Sequence, residues 1–525
     1  MISNSRFKVH REKQFDLFSE LGNAKHKKTS RLQNNVVFVD PDPSDLYLGM
    51  APLKDHLKQL KQTSPLIIRS FLSELDWSSF IEPYKPGGAP PYAPWSMLGL
   101  ILYGLMNGQS SLRQLESLAR LDLGGMWVSG GIYPDHATIG RFILLHQERL
   151  GVEFFEAVTR SILNKTGSKT HSVAGDGTVI EAACSRYRLL KNEAMAERAL
   201  SLEKAAKANP EDIAKQRQSE QANDAKALLE ARIESRKAKG RKIDSTRINP
   251  LEPDAVVQPQ KHSGYSASYK PSILANEHRI VVAQTVHPSA EVSVIPELLN
   301  QCESLSGETP HELMLDAGYF CDQSIQESLD RDISLLCPEG NDGSHAKQYR
   351  RYPKGQFIYN ELENHYLCPA GHEMRPISFY KGSEKYKSYV LYGTPDCKTC
   401  PLKEKCTKSQ NGRQVKRYPS DEIKDGLRQV MLQPKAQQRF KYRKAMVEPV
   451  FSVLRGVHGL TRFKRNGLKA VKLEFALHIL AYNLSRLIAL LAILSGFCIT
   501  LILMHKILVS KYYYQINQWN DRFTG

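Results

Sequence analysis

His171-Ser-Val-Ala-Gly-Asp-Gly-Thr178 is a short extended run that stops at Gly-Asp-Gly. The same form returns far along the chain in Glu312-Leu-Met-Leu-Asp316, which closes on an aspartate before Ala-Gly-Tyr319. A third acid, Glu448, lies in the basic, helix-favouring stretch Arg443-Lys-Ala-Met-Val-Glu-Pro-Val-Phe451. An aspartate at a strand end has its backbone pinned by the sheet and projects into the crevice beyond the carboxyl edge, where open α/β sheets commonly bind ligands. Two such aspartates and a glutamate from a later helix can form a carboxylate cage for divalent cations. Cages of that kind serve phosphoryl transfer, with two metals roughly 3.5–4 Å apart. Each acid taken singly reads as a cap, a turn residue or a solvated surface group; the three contexts in order carry the inference. Gly175 and Gly177 are expected to let nucleic acid and metal approach the backbone beside Asp176.

Working outward, strands return at Tyr265–Ile273 and Arg279–Val286, joined by Asn276-Glu-His278 as a hairpin. The unbroken apolar run Ile280-Val-Val282 suits a strand buried on both faces. A helix over Val292–Glu303 leads into the strand that delivers Asp316. Parallel neighbours need long crossovers, and this spacing supplies them. Residues from Leu189 to Gly240 are charged and alanine-rich, with Asn209-Pro210 as the start of a new helix. They read as a solvated helical hairpin inserted in the sheet domain. On the helix of Glu448, Lys444 lies four residues before and Arg455 seven after, so the three share a face. Pro449 predicts a helix break or start close to Glu448.

Upstream, residues 71–165 are helical. Pro94 opens an apolar helix from Trp95 to Met106, Ser110 or Ser111 can cap Leu112–Leu121, and Asp135 can cap a third. This pattern fits a helix-turn-helix DNA reader with Thr138, Arg141 and His146 as contacts, and equally a helical bundle that only supports the core. Residues 1–65, with Lys25-His-Lys-Lys28, read as a loose basic arm holding one helix at Leu53–Leu60.

With these pieces in view, the chain resembles the DDE transposases of bacterial insertion sequences, from about Phe71 to Arg486. The resemblance rests on Asp176-Gly-Thr178, Asp316-Ala-Gly-Tyr319, Val447-Glu-Pro-Val-Phe451, Arg462-Phe463 and Asn483-Leu484. Tyr103-Gly104, Ser111-Leu-Arg113 and Pro134-Asp-His-Ala-Thr-Ile139 support it at the N-terminal end. The chain departs from the family at Arg465-Asn466-Gly467, where Arg-Gly is usual, and at Tyr265-Ser-Ala-Ser268, where Tyr-Asn-x-Gln is usual. The resemblance implies a mixed α/β fold: a ribonuclease H-like catalytic core, an N-terminal all-α domain, a helical insertion and a small cysteine-rich insertion. The expected divisions are the arm at 1–65, a DNA-binding domain at 66–165, the catalytic domain at 166–340 and 420–487 with its helical insertion at 186–245, the cysteine-rich insertion at 341–419, and an apolar extension at 488–525. Asp176, Asp316 and Glu448 become the expected catalytic and Mg²⁺ (or Mn²⁺) ligands. Arg113, Thr138, Arg141, Lys444, Arg455 and Arg462 become the expected DNA contacts.

Cys397-x-x-Cys400, Cys406 and Cys368, the last in Cys-Pro-Ala-Gly-His372, form the one cysteine cluster among nine cysteines. No second CxxC knuckle completes it, so structural Zn²⁺ and reduced structural thiols both remain open. Zinc would replace a hydrophobic core that this short polar segment is not expected to build. Nearby Lys347, Tyr349, Arg350, Arg351 and Tyr352 interleave cations and aromatics, as nucleic-acid contacts do. The net charge of +17 fits an anionic partner without choosing among DNA, RNA and acidic membrane, and it also fits a generally soluble basic protein. Leu487–Met504 carries no charge and reaches the length at which a membrane helix is considered; we read it as a buried or partly exposed extension, with membrane association as the minority reading. The absence of a secretory leader pattern at Met1–Lys8 fits a cytoplasmic, nucleoid-associated protein. The expected partners are double-stranded DNA, as inverted-repeat ends and target, and further copies of the chain as a homodimer or higher oligomer. The alternatives are a non-catalytic repressor derived from a transposase and a membrane-associated basic protein.

Overall fold

The computed structural model describes residues 32–33, 36–238, 240–260, 264–290, 292–340, 351–383 and 387–494. The chain divides into two compact units, Met1–Tyr103 with Leu112–Phe142, and Gly104–Ser111 with Ile143–Gly525.

The first unit is built on α1 (Leu53–Gln59), α2 (Ser64–Ser73), α3 (Pro94–Met106), α4 (Leu112–Leu121), α5 (Leu123–Ser129) and the start of α6 (His136–Leu145). Asp122 caps α5 through the Gly125 amide, and Asp135 caps α6 through the Thr138 amide, relieving donors that a helix start leaves unpaired. The unit is not wholly helical: Leu32–Gln33 pairs with Val36–Val37, and Tyr47–Leu48 with Ala51–Pro52. Nor does residue 36 onward hang as a loose arm. Val36 and Phe38 are buried, and Asp40 accepts from Arg69 and from the Trp95 indole. The arm's residues 1–31 lie outside the described residues.

In the second unit, α7 (Val152–Thr166) precedes β1 (Ser172–Gly177). A helical hairpin of α8 (Asn192–Lys207) and α9 (Ile213–Ala238) intervenes before β2 (Tyr265–Asn276) and β3 (Val281–His287). Then come α10 (Ile295–Ser306), β4 (Glu312–Met314), α11 (Asp322–Asp330) and β5 (Ser334–Leu336). The sheet order is β5-β4-β1-β2-β3, with β1, β2 and β3 antiparallel and β4 and β5 parallel to β1. Ile180–Glu181 and Val256–Pro259 widen the sheet by pairing with the first residues of β2. The hairpin turn between β2 and β3 is set by Asn276, whose side-chain oxygen accepts from the amides of His278 and Ile280.

The helical insertion holds together through small residues. Met195, Ala199, Ala222, Ala225 and Leu229 form its core with Ile248, so alanines that look like solvated filler in the sequence are its interior. Its second helix begins at Ile213 rather than at Pro210, because the Asp212 carboxylate accepts from the Ala214 and Lys215 amides.

After β5 the chain forms a second sheet, entirely antiparallel, of β6 (Ile358–Asn360), β7 (His365–Leu367), β8 (Glu373–Tyr380), β9 (Tyr389–Gly393) and β10 (Val415–Arg417) in that order. Phe357, Tyr366, Met374, Tyr392 and Val415 pack on one face. The cysteine-rich segment therefore does build a core of its own, an aromatic one, contrary to the sequence-based expectation.

Four helices close the unit: α12 (Asp421–Leu432), α13 (Pro434–Phe440), α14 (Tyr442–Gly456) and α15 (Leu468–Leu494). By length and composition α15 is apolar enough to cross a membrane, with a mean hydropathy of 1.8, and half of that stretch is buried within the protein. Asn483 fastens it to the sheet: its side chain accepts from the Val281 amide and donates to the Val281 carbonyl. The apolar extension beyond residue 494 lies outside the described residues.

Candidate active site

The register of β4 on β1 creates the site. Glu312 pairs with Ser172 and Met314 with Ala174, so the same offset of 140 residues carried two positions further sets Asp316 beside Asp176. Both aspartates stand where their strands end. Asp176 Oδ1 accepts from the Gly177 amide at 3.0 Å, and Asp316 Oδ1 accepts from the Gly318 amide at 2.9 Å. Each aspartate thus ties one oxygen to a backbone amide just beyond it.

Between them lies Arg443 of α14. Its Nη2 is 3.0 Å from Asp176 Oδ1 and 3.7 Å from Asp316 Oδ2. The same guanidinium donates from Nε and Nη2 to the Gly175 carbonyl, and its side chain is only 8% exposed. A charge so far from water requires a partner, and the aspartate pair supplies it. Burial pushes the Asp176 carboxyl above its ordinary value; Arg443 opposes this, and the neighbouring Asp316 charge adds to it. Asp316 is closer to solvent, with its side chain 45% exposed.

Gly175 has a role different from the expected one. A Cβ there would lie 2.5 Å from Leu315 Cδ2 and 3.1 Å from Leu274 Cδ2, so this glycine lets strands and core close up beneath the aspartate. It is buried and does not offer its backbone to a ligand.

Glu448 lies five residues beyond Arg443 on the exposed side of α14. Lys444, on the same side, is also exposed, and Arg455 donates to the Thr178 hydroxyl just past Asp176. The expected break at Pro449 does not occur; α14 runs unbroken through it. Proline removes the bond to the carbonyl four residues back, and Ala445 is exposed, where water can satisfy that carbonyl. Meanwhile the buried Met446, Val447, Val450, Phe451 and Leu454 hold the helix in place.

The other expected contacts fall into different settings. In the first unit, Arg113 and Arg141 are exposed, and Arg141 donates to Thr138 at the capped start of α6. His146 is fully buried, so it has no ring to offer a DNA groove. Arg462 donates to the carbonyls of Ala182, Ala183 and Cys184, clamping the segment after the short strand Ile180–Glu181. Of the interleaved basic and aromatic residues, Lys347, Tyr349 and Arg350 lie outside the described residues.

The four cysteines lie around one cavity, but no three of their sulfurs come within 4.8 Å of one another. Cys368, Cys397, Cys400 and Cys406 line one cavity of about 20 Å³ together with His372, and the other three thiols act electrostatically on Cys406. Soft sulfur donors with a neighbouring imidazole match a zinc site in chemistry. A separate group, Glu363, His365 and Glu373, brings its donor atoms within 4.8 Å of one another, with both glutamates exposed.

Two residues at the aspartates escaped the sequence reading. Arg443 was hidden as one more cation in a basic helix; its offset of five from Glu448 puts it on the buried side, a signal that is available once α14 is known to be continuous. Cys337, just past β5, donates its thiol to the Asp316 carbonyl and is pushed up to about 12 by burial. Nothing in its local sequence marks it.

Comparison with known families gives two matches on separate parts of the chain. Residues 367–488 match a family described as a transposase DDE domain, and residues 53–144 match a transposase domain family (DUF772). Glu448, Arg443 and the four cysteines fall within the first match; Asp176 and Asp316 lie outside both. No curated protein and no solved structure matches the chain. Both matched families are transposase families, and together they support a DDE transposase of an insertion sequence.

Proposed function

We propose that the protein is a ribonuclease H-like DNA transposase that binds inverted-repeat ends, hydrolyses a phosphodiester there and joins the freed 3′ hydroxyl to target DNA. Asp176, Asp316 and Glu448 are its catalytic carboxylates. The observation that carries this reading is the parallel register that sets Asp316 beside Asp176 at the open ends of β4 and β1. The order of three antiparallel strands followed by two parallel ones supports the ribonuclease H-like assignment.

Hard carboxylate oxygens fit Mg²⁺ or Mn²⁺, which take a few protein ligands and let substrate phosphate complete the shell. Such ions, when bound, activate the attacking oxygen and stabilise the leaving one. The chain does the remaining work. The turn amides of Gly177 and Gly318 hold the aspartates in orientation. Arg443 balances their charge and ties the end of β1 to α14. Lys444 and Arg455 flank Glu448 and give the DNA phosphates a cationic track. Water and then a DNA hydroxyl attack in line at phosphorus, so one site serves both steps.

Asp176→Asn, Asp316→Asn and Glu448→Gln should each reduce strand cleavage below detection while end binding persists, because an amide keeps the shape and loses the charge. Cleavage near wild-type rates by any of them removes that residue from the site. Loss of cleavage in all three also separates this reading from a non-catalytic repressor. Binding itself should weaken steeply with salt, since Lys and Arg release counterions from phosphates.

We infer that one structural zinc binds at the cysteine cavity, with reduced thiols as the alternative. Protein purified without chelator should carry about one equivalent held by four thiolates, and chelation should speed proteolysis between Pro353 and Arg417 selectively. Metal-free protein of unchanged protease resistance would leave reduced thiols as the reading.

A further inference from the structure

The uncharged run Leu487–Met504 has no part in the chemistry at Asp176 and Asp316, and α15 carries its first residues. That helix changes character along its length. Its inner part is core: Phe475, Ile479, Leu480 and Leu484 are buried, and Asn483 ties it to β3. After Leu487 no residue of it is fully buried, and Ala492, Ile493 and Leu494 are exposed, Ile493 by 64%. The matched transposase DDE domain ends at Ile488, so this outgoing stretch lies beyond it.

The described helix ends at Leu494, and the sequence continues in kind. From Ile488 to Met504 only Ser495, Cys498 and Thr500 interrupt the hydrocarbon side chains, apart from Gly496. At 3.6 residues per turn those three fall on different faces, so no polar stripe forms. A helix that docks on another protein surface needs one apolar stripe and a polar back; a helix apolar all round belongs in a large core or in a membrane. As a helix the run is about 25 Å long at 1.5 Å per residue, at the lower end of lengths that span hydrocarbon.

Both ends suit lipid headgroups. At the near end, Arg279 and Arg486 lie close enough to Tyr482 to act on it electrostatically, and Arg486 is held by the His278 carbonyl at 3.1 Å. Neither guanidinium pairs with a carboxylate among the described residues, which leaves both charges for anionic headgroups. At the far end follow Lys506 and Lys511, then Tyr512, Tyr513, Tyr514 and Trp519. Lysines and amphipathic rings of this kind settle at the membrane–water boundary.

We propose that Ile488–Met504 enters a lipid bilayer as a helix and anchors the protein to a membrane, with Arg279 and Arg486 against the headgroups. The body, with its carboxylates, stays on the side that holds DNA.

The test reconstitutes nuclease-treated full-length protein with neutral phosphatidylcholine vesicles by detergent removal. The vesicles are then floated in about 1 M salt, where charge is screened within about 3 Å. Wild type should rise with the vesicles. Phe497→Lys with Leu501→Lys puts two charges in mid-run and should leave at least about ten times more protein unfloated. Phe497→Leu with Leu501→Ile should float as wild type does. In wild type itself, Cys498 should lose modification by a charged maleimide once vesicles are present, as read on its own peptide. Wild type left at the bottom, flotation of the lysine variant, flotation at low salt alone, or Cys498 labelled equally with and without vesicles would each overturn the proposal. Cys498 protected without vesicles, in a discrete oligomer, would assign the run to a second copy of the chain instead. None of these readouts uses strand cleavage, so their outcome is separate from that of the catalytic assignment.

Discussion

The two sheets of the second unit use their residues in opposite ways. In the first, β1 to β4 are buried almost throughout, and the carboxyl ends of β1 and β4 carry the aspartates with their shared arginine. In the second, one face packs on an aromatic core while β8 shows Ile377, Phe379 and Tyr380 to solvent. A sheet covered on both faces positions a polar site rigidly because every displacement opens a void. A sheet covered on one face can afford adaptable contacts on the other. The buried sheet thus bears the aspartates, while the second sheet, tied to their loop through Asp322, keeps one face open.

That contrast can be broken by measurement. Leu313→Ala, fully buried on β4 next to the site, should cost about 2–5 kcal/mol in chemical denaturation. A loss below about 1 kcal/mol would mean the first sheet is not the rigid one.

Acid should act on the same side. His458 and His478 are buried with ring centroids 5.7 Å apart; burial pushes the first down to about 4 and the second to about 3, His458 and Lys464 adding to the second. Their folded values lie below the unfolded one near 6.5, so the unfolded chain binds protons first as pH falls. Stability should therefore be intact above about pH 6.5 and decline toward pH 4, by about 1.4 kcal/mol per pH unit for each imidazole. Denaturation midpoints that stay flat from pH 7 to pH 4.5 would contradict the burial of this pair.

Arg443→Met should come next, at about 2 kcal/mol. Breaking a buried ion pair costs about 3–5 kcal/mol, reduced here because Asp316 is half exposed to screening water. Adding Asp176→Asn should return part of the loss, and so should millimolar Mg²⁺ if the carboxylates take it in place of the guanidinium. A variant as stable as wild type would show that Arg443 does not balance the pair.

Phe379→Ala should have the smallest effect, within about 0.5 kcal/mol, as for surface positions generally. A large destabilisation would mean that the exposed face of the second sheet is covered in solution.

How much of this was legible varies by residue. Asp176 and Asp316 could be picked out because a short apolar run ending at Asp-Gly or Asp-Ala-Gly marks a strand end whatever surrounds it. The capped helices at Asp135 and Pro94 were equally local, as was the turn at Asn276. The alanine core of the helical insertion was not, because alanine has no strong preference for inside or outside until a partner helix lies close. The second sheet was unreadable for a related reason: its strands are short and mix aromatic with charged residues, so no period of two survives. Pro449 misled because propensity predicts a break that packing overrides.

The sequence by itself determined where the carboxylates stand along the chain, which strands and helices bear them, and the family resemblance that the two domain matches bear out. Those features depend on neighbours a few residues away, where backbone geometry is decided. Only the tertiary structure decided that Asp316 lies beside Asp176, that Arg443 rather than a surface lysine balances them, that Gly175 makes room for Leu315, and that Asn364 is locked by two tyrosines. Each depends on a pairing between distant segments, and such pairings are set by which surfaces exclude water together, a property that no single stretch of sequence carries.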